Sequence, residues 1–173
     1  MPATDLIPAW IGGQLQPADK LAVHRRGDRH PAVSVFVLCR GQILIQRRAL
    51  GKYHTPGLWA NSCCTHPRWD EPPAACAIRR LREELGLDLP AVEFAGQVEY
   101  RAEVGNGMTE HELVDVFLAC TEEWPSLVPD PAEVMDTRWL SLAALESEIA
   151  ADPGRFTPWL HIYLRDHRGL VAG

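Results

Sequence analysis

The feature that most constrains the fold is a pair of apolar runs folded back on each other. Ala32 to Cys39 (AVSVFVLC) is β-branched and apolar, and Gly41 turns it into Gln42 to Arg47 (QILIQR). Two such runs across a short glycine turn form a β-hairpin. The preceding segment mixes Gly, Pro and charge and reads mostly as loop, with at most a short strand. Ala49 to Pro67 is irregular, punctuated by Gly51, Pro56, Gly57 and Pro67. Asp70-Glu71-Pro72 then offers an acidic cap and a first-turn proline. Ala74, Ile78, Leu81 and Leu85 follow at i, i+4, i+7 and i+11, one apolar stripe that Gly86 closes. Val92 to Arg101 and His111 to Cys120 read as strands flanking a Gly105-Asn106-Gly107 turn, and Asp136 to Leu140 as a short strand. Ser141 caps a helix over Leu142 to Ala150. A last amphipathic helix after Pro158 turns Trp159, Ile162, Tyr163 and Leu170 inward. This order predicts the α/β class, with a mixed sheet and helices packed on it.

The 173 residues, with 46% apolar and 23% charged, suit a single domain over residues 1–173. No internal repeat or low-complexity tract divides the chain. The net charge of −6 repels nucleic acid and anionic membrane surfaces, so neither is an expected partner. An anionic small substrate would need a local basic pocket inside an acidic protein. No apolar run is long enough to span a membrane. Met1 to Gln16 lacks a basic start followed by a long apolar stretch, so no signal peptide is expected. The five cysteines are odd in number, and Cys63 and Cys64 are adjacent. That is a poor disulfide framework and points to a reducing cytoplasm.

Four clusters carry chemistry. Asn61-Ser62-Cys63-Cys64-Thr65-His66-Pro67 sets a cysteine and a histidine two apart, so an extended chain turns Cys64 and His66 to one side. A thiol there can move a proton or act as a nucleophile, and an imidazole can bind metal. A buried structural cysteine pair beside a loop histidine accounts for the same spacing. In Glu110-His111-Glu112 both carboxylates share one strand face, continued by Val114, Val116 and Leu118. Adjacent carboxylates repel unless a cation lies between them or one keeps a proton; a solvated charged edge is the plainer alternative. His24 and His30, surface loop residues when taken singly, make a five-membered His and Glu set with His66, Glu110 and Glu112. Such a set suits zinc, manganese or iron. On the helix, Glu83 lies opposite the apolar stripe. Glu84 lies about a quarter turn from it and is the better candidate ligand. Pairing of Arg79 with Glu83 and of Arg80 with Glu84 is the structural alternative.

Glu71 followed by Arg79-Arg80-Leu81-Arg82-Glu83-Glu84-Leu85-Gly86-Leu87 resembles the Nudix box. It departs at the opening glycine, which is Thr65, and at the Arg-Glu pair, which is Arg79-Arg80. A degenerate box argues against ordinary diphosphate hydrolysis. The Asn61 to Pro67 string, Arg47-Arg48-Ala49-Leu50 with Lys52, Pro56-Gly57-Leu58-Trp59, and Tyr100 ahead of Glu110-His111-Glu112 are together similar to the metal-dependent isopentenyl diphosphate isomerases. The likeness runs from about Lys20 to Trp159. It implies a Nudix-like α/β/α fold and interconversion of isopentenyl and dimethylallyl diphosphate, with a Nudix diphosphohydrolase as the alternative activity. It further implies Cys64 and Glu110 as proton-transfer groups, Tyr100 assisting Glu110, and Trp159 shielding a carbocation. Lys20, Arg48, Lys52 and Arg80 are implied as diphosphate contacts. The implied ligands of one divalent ion, Mn²⁺ or Zn²⁺, are His24, His30, His66, Glu110 and Glu112, and Glu84 is implied as a ligand of a substrate-bound Mg²⁺. A monomer is expected, with a homodimer the alternative.

Overall fold

The computed structural model describes residues 5–172. Met1 to Thr4, part of the stretch considered for a signal peptide, lie outside the described residues. The segment read as loop is ordered. Leu6–Ile11 (β1) and Gln14–Asp19 (β2) form an antiparallel hairpin, and Lys20–Arg26 (α1) follows at once. The Gly12-Gly13 turn was the signal in the sequence: both residues have positive φ, +60° and +82°, which a two-residue hairpin turn demands. The largely exposed β2 shows no apolar alternation to reinforce it. Helix α1 is only seven residues and is set by its caps. The Asp19 carboxylate accepts the Ala22 N–H at 2.9 Å, and Gly27 closes the helix at φ +69°.

The remaining strands build one seven-stranded mixed sheet. Arg29–Cys39 (β3) and Gln42–Arg48 (β4) pair only next to their turn, through Leu38 with Ile43 and Cys39 with Gln42. They then splay apart. Trp59–Ala60 (β5) pairs with β4, and Cys63–Thr65 (β6) pairs with β3. Glu93–Gly105 (β7) and Met108–Thr121 (β8) are a long antiparallel pair, β8 runs parallel to β3, and Val134–Ser141 (β9) pairs with β4. The hairpin expected at Gly41 is therefore present but short.

Pro73–Leu85 (α2) covers one sheet face; Leu142–Ala151 (α3), Pro158–Asp166 (α4) and Arg168–Val171 (α5) cover the other. This is the α/β/α layering expected. Two details of α2 differ from the sequence reading. No acidic side chain caps it: Pro72 is the cap, while the Glu71 carboxylate is held by Arg79 at 2.6 and 2.8 Å. The buried arc is Cys76, Ala77, Leu81, Glu84 and Leu85, with Ala74 exposed and Ile78 half-buried. The small residues Cys76 and Ala77 let the helix lie close on Val33, Val35 and Val37, so the helix is turned toward them. Glu84 is thereby central to the buried face, not at its boundary.

Candidate functional site

The sheet register assembles the site. His30 on β3 lies opposite Glu112 on β8, and Glu112 lies opposite Tyr100 on β7, a ladder across three strands. Glu110 is one step along the same inward row. On the other flank of β3, Cys64 pairs with Ser34. The alternation expected of an extended segment holds: Cys63 packs under α2, and Cys64 faces the opposite layer. His24 reaches the same place from the last turn of α1, fully buried. Cys64, His66, Glu84, Glu110, Glu112, Trp159, Lys20, Arg48, Lys52 and Arg80 line one cleft, and Tyr100 and His30 lie behind its floor.

Ligand atoms of His24, His30, His66 and Glu112 lie within 4.8 Å of one another, and a second group of the same tightness joins His24, His54 and Glu110. Glu110 thus stands with His54 and not inside the first group. Hydrogen bonding fixes two of the imidazoles. His24 Nδ1 lies 2.7 Å from the Lys20 carbonyl and His30 Nδ1 lies 2.8 Å from the Asp28 carbonyl. A carbonyl only accepts, so each Nδ1 carries the proton and each Nε2 a lone pair. Both Nε2 atoms are buried without a hydrogen-bond partner, as is His66 Nδ1. The orphaned Nε2 lone pairs of His24 and His30, beside Glu112, suit a divalent cation. Backbone carbonyls orienting the far side of the rings are the usual support for metal-binding histidines.

The carboxylates divide their roles. Burial, then the neighbouring Glu112, push Glu110 well above the ordinary carboxylate range. Burial pushes Glu112 the same way, but the adjoining His30 and His66 imidazoles overcome it and hold Glu112 well below that range. The Tyr100 hydroxyl oxygen lies 2.8 Å from an oxygen of each glutamate. A phenol has one hydrogen, so Tyr100 can donate to only one of the two at a time.

The Cys64 thiol donates to Asn61 Oδ1 at 2.9 Å and lies 3.2 Å from the Ser34 hydroxyl. Burial pushes it above the ordinary thiol range, so it is held as a thiol. At the mouth, Arg80 binds Glu84 at 2.6 Å and Glu133 at 3.3 Å, and Lys52 also pairs with Glu133. Arg48 is buried, donates to the His54 carbonyl at 3.1 Å and sits 5.3 Å from the centre of the Trp159 ring. Lys20 is 5.2 Å from the Tyr53 ring centre and 3.6 Å from Asp5. Glu84 also accepts from Gln46 at 2.9 Å. The helix pairings Arg79 with Glu83 and Arg80 with Glu84 both form, so Glu84 is at once a paired carboxylate and a wall of the cleft.

Sequence reasoning missed His54, Glu133, Asn61 as a positioning group, and Tyr53. His54 is 2% exposed. Burial first, then the Arg48 charge, push its imidazole down to about 2, so it is neutral. Its only signal in the sequence was its place between Lys52 and Pro56.

A fold of this layering, with a glutamate-bearing helix facing a basic cleft, defines a class. Residues 28–160 match the family described as NUDIX domain, and the chain belongs to it. Solved structures agree in fold: the MutT protein of Methanosarcina mazei Go1 superposes with TM-score 0.63 at 19% identity, covering 82% of this chain and 94% of that one. Closer relatives sharpen the placement. An isopentenyl-diphosphate Delta-isomerase of Cereibacter sphaeroides is 57% identical over 170 residues, 98% of this chain and 96% of that protein. One of Rhodobacter capsulatus is 56% identical over 169 residues, 98% and 96% of the two chains. Within the Nudix fold, the chain belongs to the isopentenyl-diphosphate Delta-isomerase family.

Proposed function

We propose that this cleft is where the chain, an intramolecular isomerase, interconverts isopentenyl and dimethylallyl diphosphate in isoprenoid biosynthesis. Cys64 and Glu110 act as the proton-transfer pair, passing the substrate through a tertiary carbocation. The observation that carries the reading is the placing, in one cleft, of the Cys64 thiol and the buried Glu110 carboxyl above a basic mouth. An unactivated alkene is a poor base, so its protonation needs a positioned acid in a site free of water. Burial supplies the dry site, in which one member of the pair gives its proton to the alkene and the other, deprotonated, takes a proton from the opposite side. Tyr100 holds Glu110 in place and links it to the charged Glu112. The Trp159 face stabilises a cation by roughly 0.5–2 kcal/mol.

Lys20, Arg48, Lys52 and Arg80 bind the diphosphate, whose remote binding energy orients the reacting carbons. His24, His30, His66, Glu110 and Glu112 would hold Mn²⁺ or Zn²⁺, and Glu84 a Mg²⁺ shared with the substrate. Such ions supply positive charge that polarises carboxyl groups and neutralises the diphosphate. We place the enzyme in the cytoplasm, on its five free cysteines, and expect a monomer, with a homodimer as the alternative that sedimentation separates. No helix among the described residues is long and apolar enough to cross a membrane.

Incubation with isopentenyl diphosphate and Mg²⁺ should yield dimethylallyl diphosphate without phosphate release. Release of phosphate from nucleoside diphosphate compounds, with no isomer formed, would instead identify a Nudix diphosphohydrolase. Cys64→Ala should abolish turnover with metal content intact, and Cys63→Ala should be mild. Glu110→Gln should lose turnover and weaken metal binding. An active Cys64→Ala enzyme would refute the assigned pair.

A further inference from the structure

We propose that His54 is a further ligand of the ion addressed by His24, binding it from the Glu110 side. Three observations carry this. The ligand atoms of His24, His54 and Glu110 lie within 4.8 Å of one another. His24 belongs to both this group and the group with His30, His66 and Glu112. One imidazole Nε2 lone pair binds one ion, so an ion held by His24 lies within reach of His54 and Glu110.

The second-sphere pattern repeats. His24 and His30 each donate Nδ1–H to a backbone carbonyl. His54 Nδ1 lies 3.0 Å from the Thr55 hydroxyl oxygen, which sits on a left-handed residue at φ +45°. The hydroxyl can accept Nδ1–H, and in that tautomer the His54 Nε2 presents a lone pair toward Glu110.

The third observation is the contact that this lone pair makes. His54 Nε2 is 3.3 Å from Glu110 Oε1, longer than an ordinary N–H···O bond. His30 Nε2 and Glu112 Oε1 stand at a similar 3.4 Å. Spacings near 3 Å are those of adjacent donors on one ion with bonds of about 2.0–2.2 Å.

The inference rests on the metal assignment above, in which Glu110 is also a ligand. The test uses full-length metal-free protein and Mn²⁺ alone, read by titration calorimetry and by pulsed electron paramagnetic resonance of the imidazole nitrogens. His54→Ala is expected to weaken Mn²⁺ binding at least about 10-fold and to remove one coupled nitrogen. Thr55→Val, which keeps the imidazole but removes its Nδ1 partner, is expected to weaken binding by about 10-fold with the nitrogen count kept. Wild-type affinity in His54→Ala, or weakened affinity with an unchanged nitrogen count, overturns the proposal. If His54→Ala does not fold, Thr55→Val decides, and wild-type affinity there counts against it. His24→Ala separates the two readings. Binding lost in His24→Ala but kept in His54→Ala removes only this inference, whereas binding kept in both removes the metal assignment itself.

Discussion

Replacing Asn61 by alanine tests whether the Cys64 thiol is held in place by the fold. Asn61 is fully buried, and its amide nitrogen donates to the Val35 carbonyl at 2.9 Å, the Ser34 hydroxyl at 2.8 Å and the Cys63 carbonyl at 3.2 Å. Its oxygen accepts the Cys64 thiol at 2.9 Å. In Asn61→Ala the Ser34 hydroxyl can rotate to meet the thiol, so that pair partly rescues itself. The Val35 and Cys63 carbonyls have no such recourse. At about 1–3 kcal/mol for each buried group left short, and with some relaxation, the expected loss is about 2–4 kcal/mol. For a chain of this size that is a fall of roughly 4–16 °C in Tm. Urea and thermal unfolding of the metal-free protein measure this term, and kcat of the loaded enzyme measures thiol positioning. A change below about 0.5 kcal/mol, the level of an ordinary surface substitution, would refute the accounting. Large destabilisation with unchanged kcat would refute the positioning role alone.

Three further outcomes are expected. Arg79 hydrogen bonds hold the Glu71 carboxyl down to about 2. A carboxyl lowered on folding contributes stability that is complete above its unfolded value of about 4.5 and is lost as pH falls toward 2. Glu71→Gln should therefore cost about 1–3 kcal/mol at neutral pH, and the difference should vanish across that acid window in urea melts; a pH-independent difference would contradict the ion pair. Arg48→Ala and Lys52→Ala should raise KM about 10-fold or more with less effect on kcat, since they are assigned to the end of the substrate that does not react; steady-state kinetics with unchanged KM and lost kcat would reverse that assignment. Gly86→Ala should lower stability by about 1–3 kcal/mol, because its φ is +63° and a Cβ would meet the Val128 carbonyl oxygen at 2.8 Å; a wild-type thermal melt would show that the Val128 loop yields.

What could be read in the sequence follows from which residues carry a local period. Strands β3, β4 and β8 and helix α2 bury apolar side chains at regular spacing, and their types were legible. The orientation of α2 was less so, because Cys76 and Ala77 are small and weigh little in a pattern of large apolar residues, yet they are what sits against β3. The first hairpin and α1 are set by Gly12-Gly13, Asp19 and Gly27, with only Ile7, Ala9, Ala18 and Val23 as a small core. Turn chemistry was the sole signal there. His24 could be placed in the ligand set only by family likeness, since nothing local shows a histidine of a seven-residue helix reaching β8. His54 and Glu133 have neither period nor motif, and only the fold brings them to the cleft.

The same helix that marks the Nudix fold also shows how this site departs from a hydrolase. Where the box pattern has Arg-Glu, this chain has Arg79-Arg80, so a guanidinium stands where a carboxylate is expected. Arg79 turns outward to Glu71 and Glu83, and Arg80 turns to the cleft, where it binds Glu84 and Glu133. Glu83 is exposed. Of the carboxylates on this helix, Glu84 alone lines the cleft, and it is already partly neutralised by Arg80. Activating water against phosphorus benefits from metal ions clustered at the phosphate, and a lone, cation-paired carboxylate is poorly suited to gather them. It is well suited to holding a diphosphate still. The ligand set proposed above, His24, His30, His66, Glu110 and Glu112, lies instead beside the thiol, where the reacting carbons would lie. Separation of the anchoring end from the proton-transfer end fits a reaction that leaves the diphosphate unbroken, and restoring Glu at position 80 would add a carboxylate at the mouth without supplying anything to the far end.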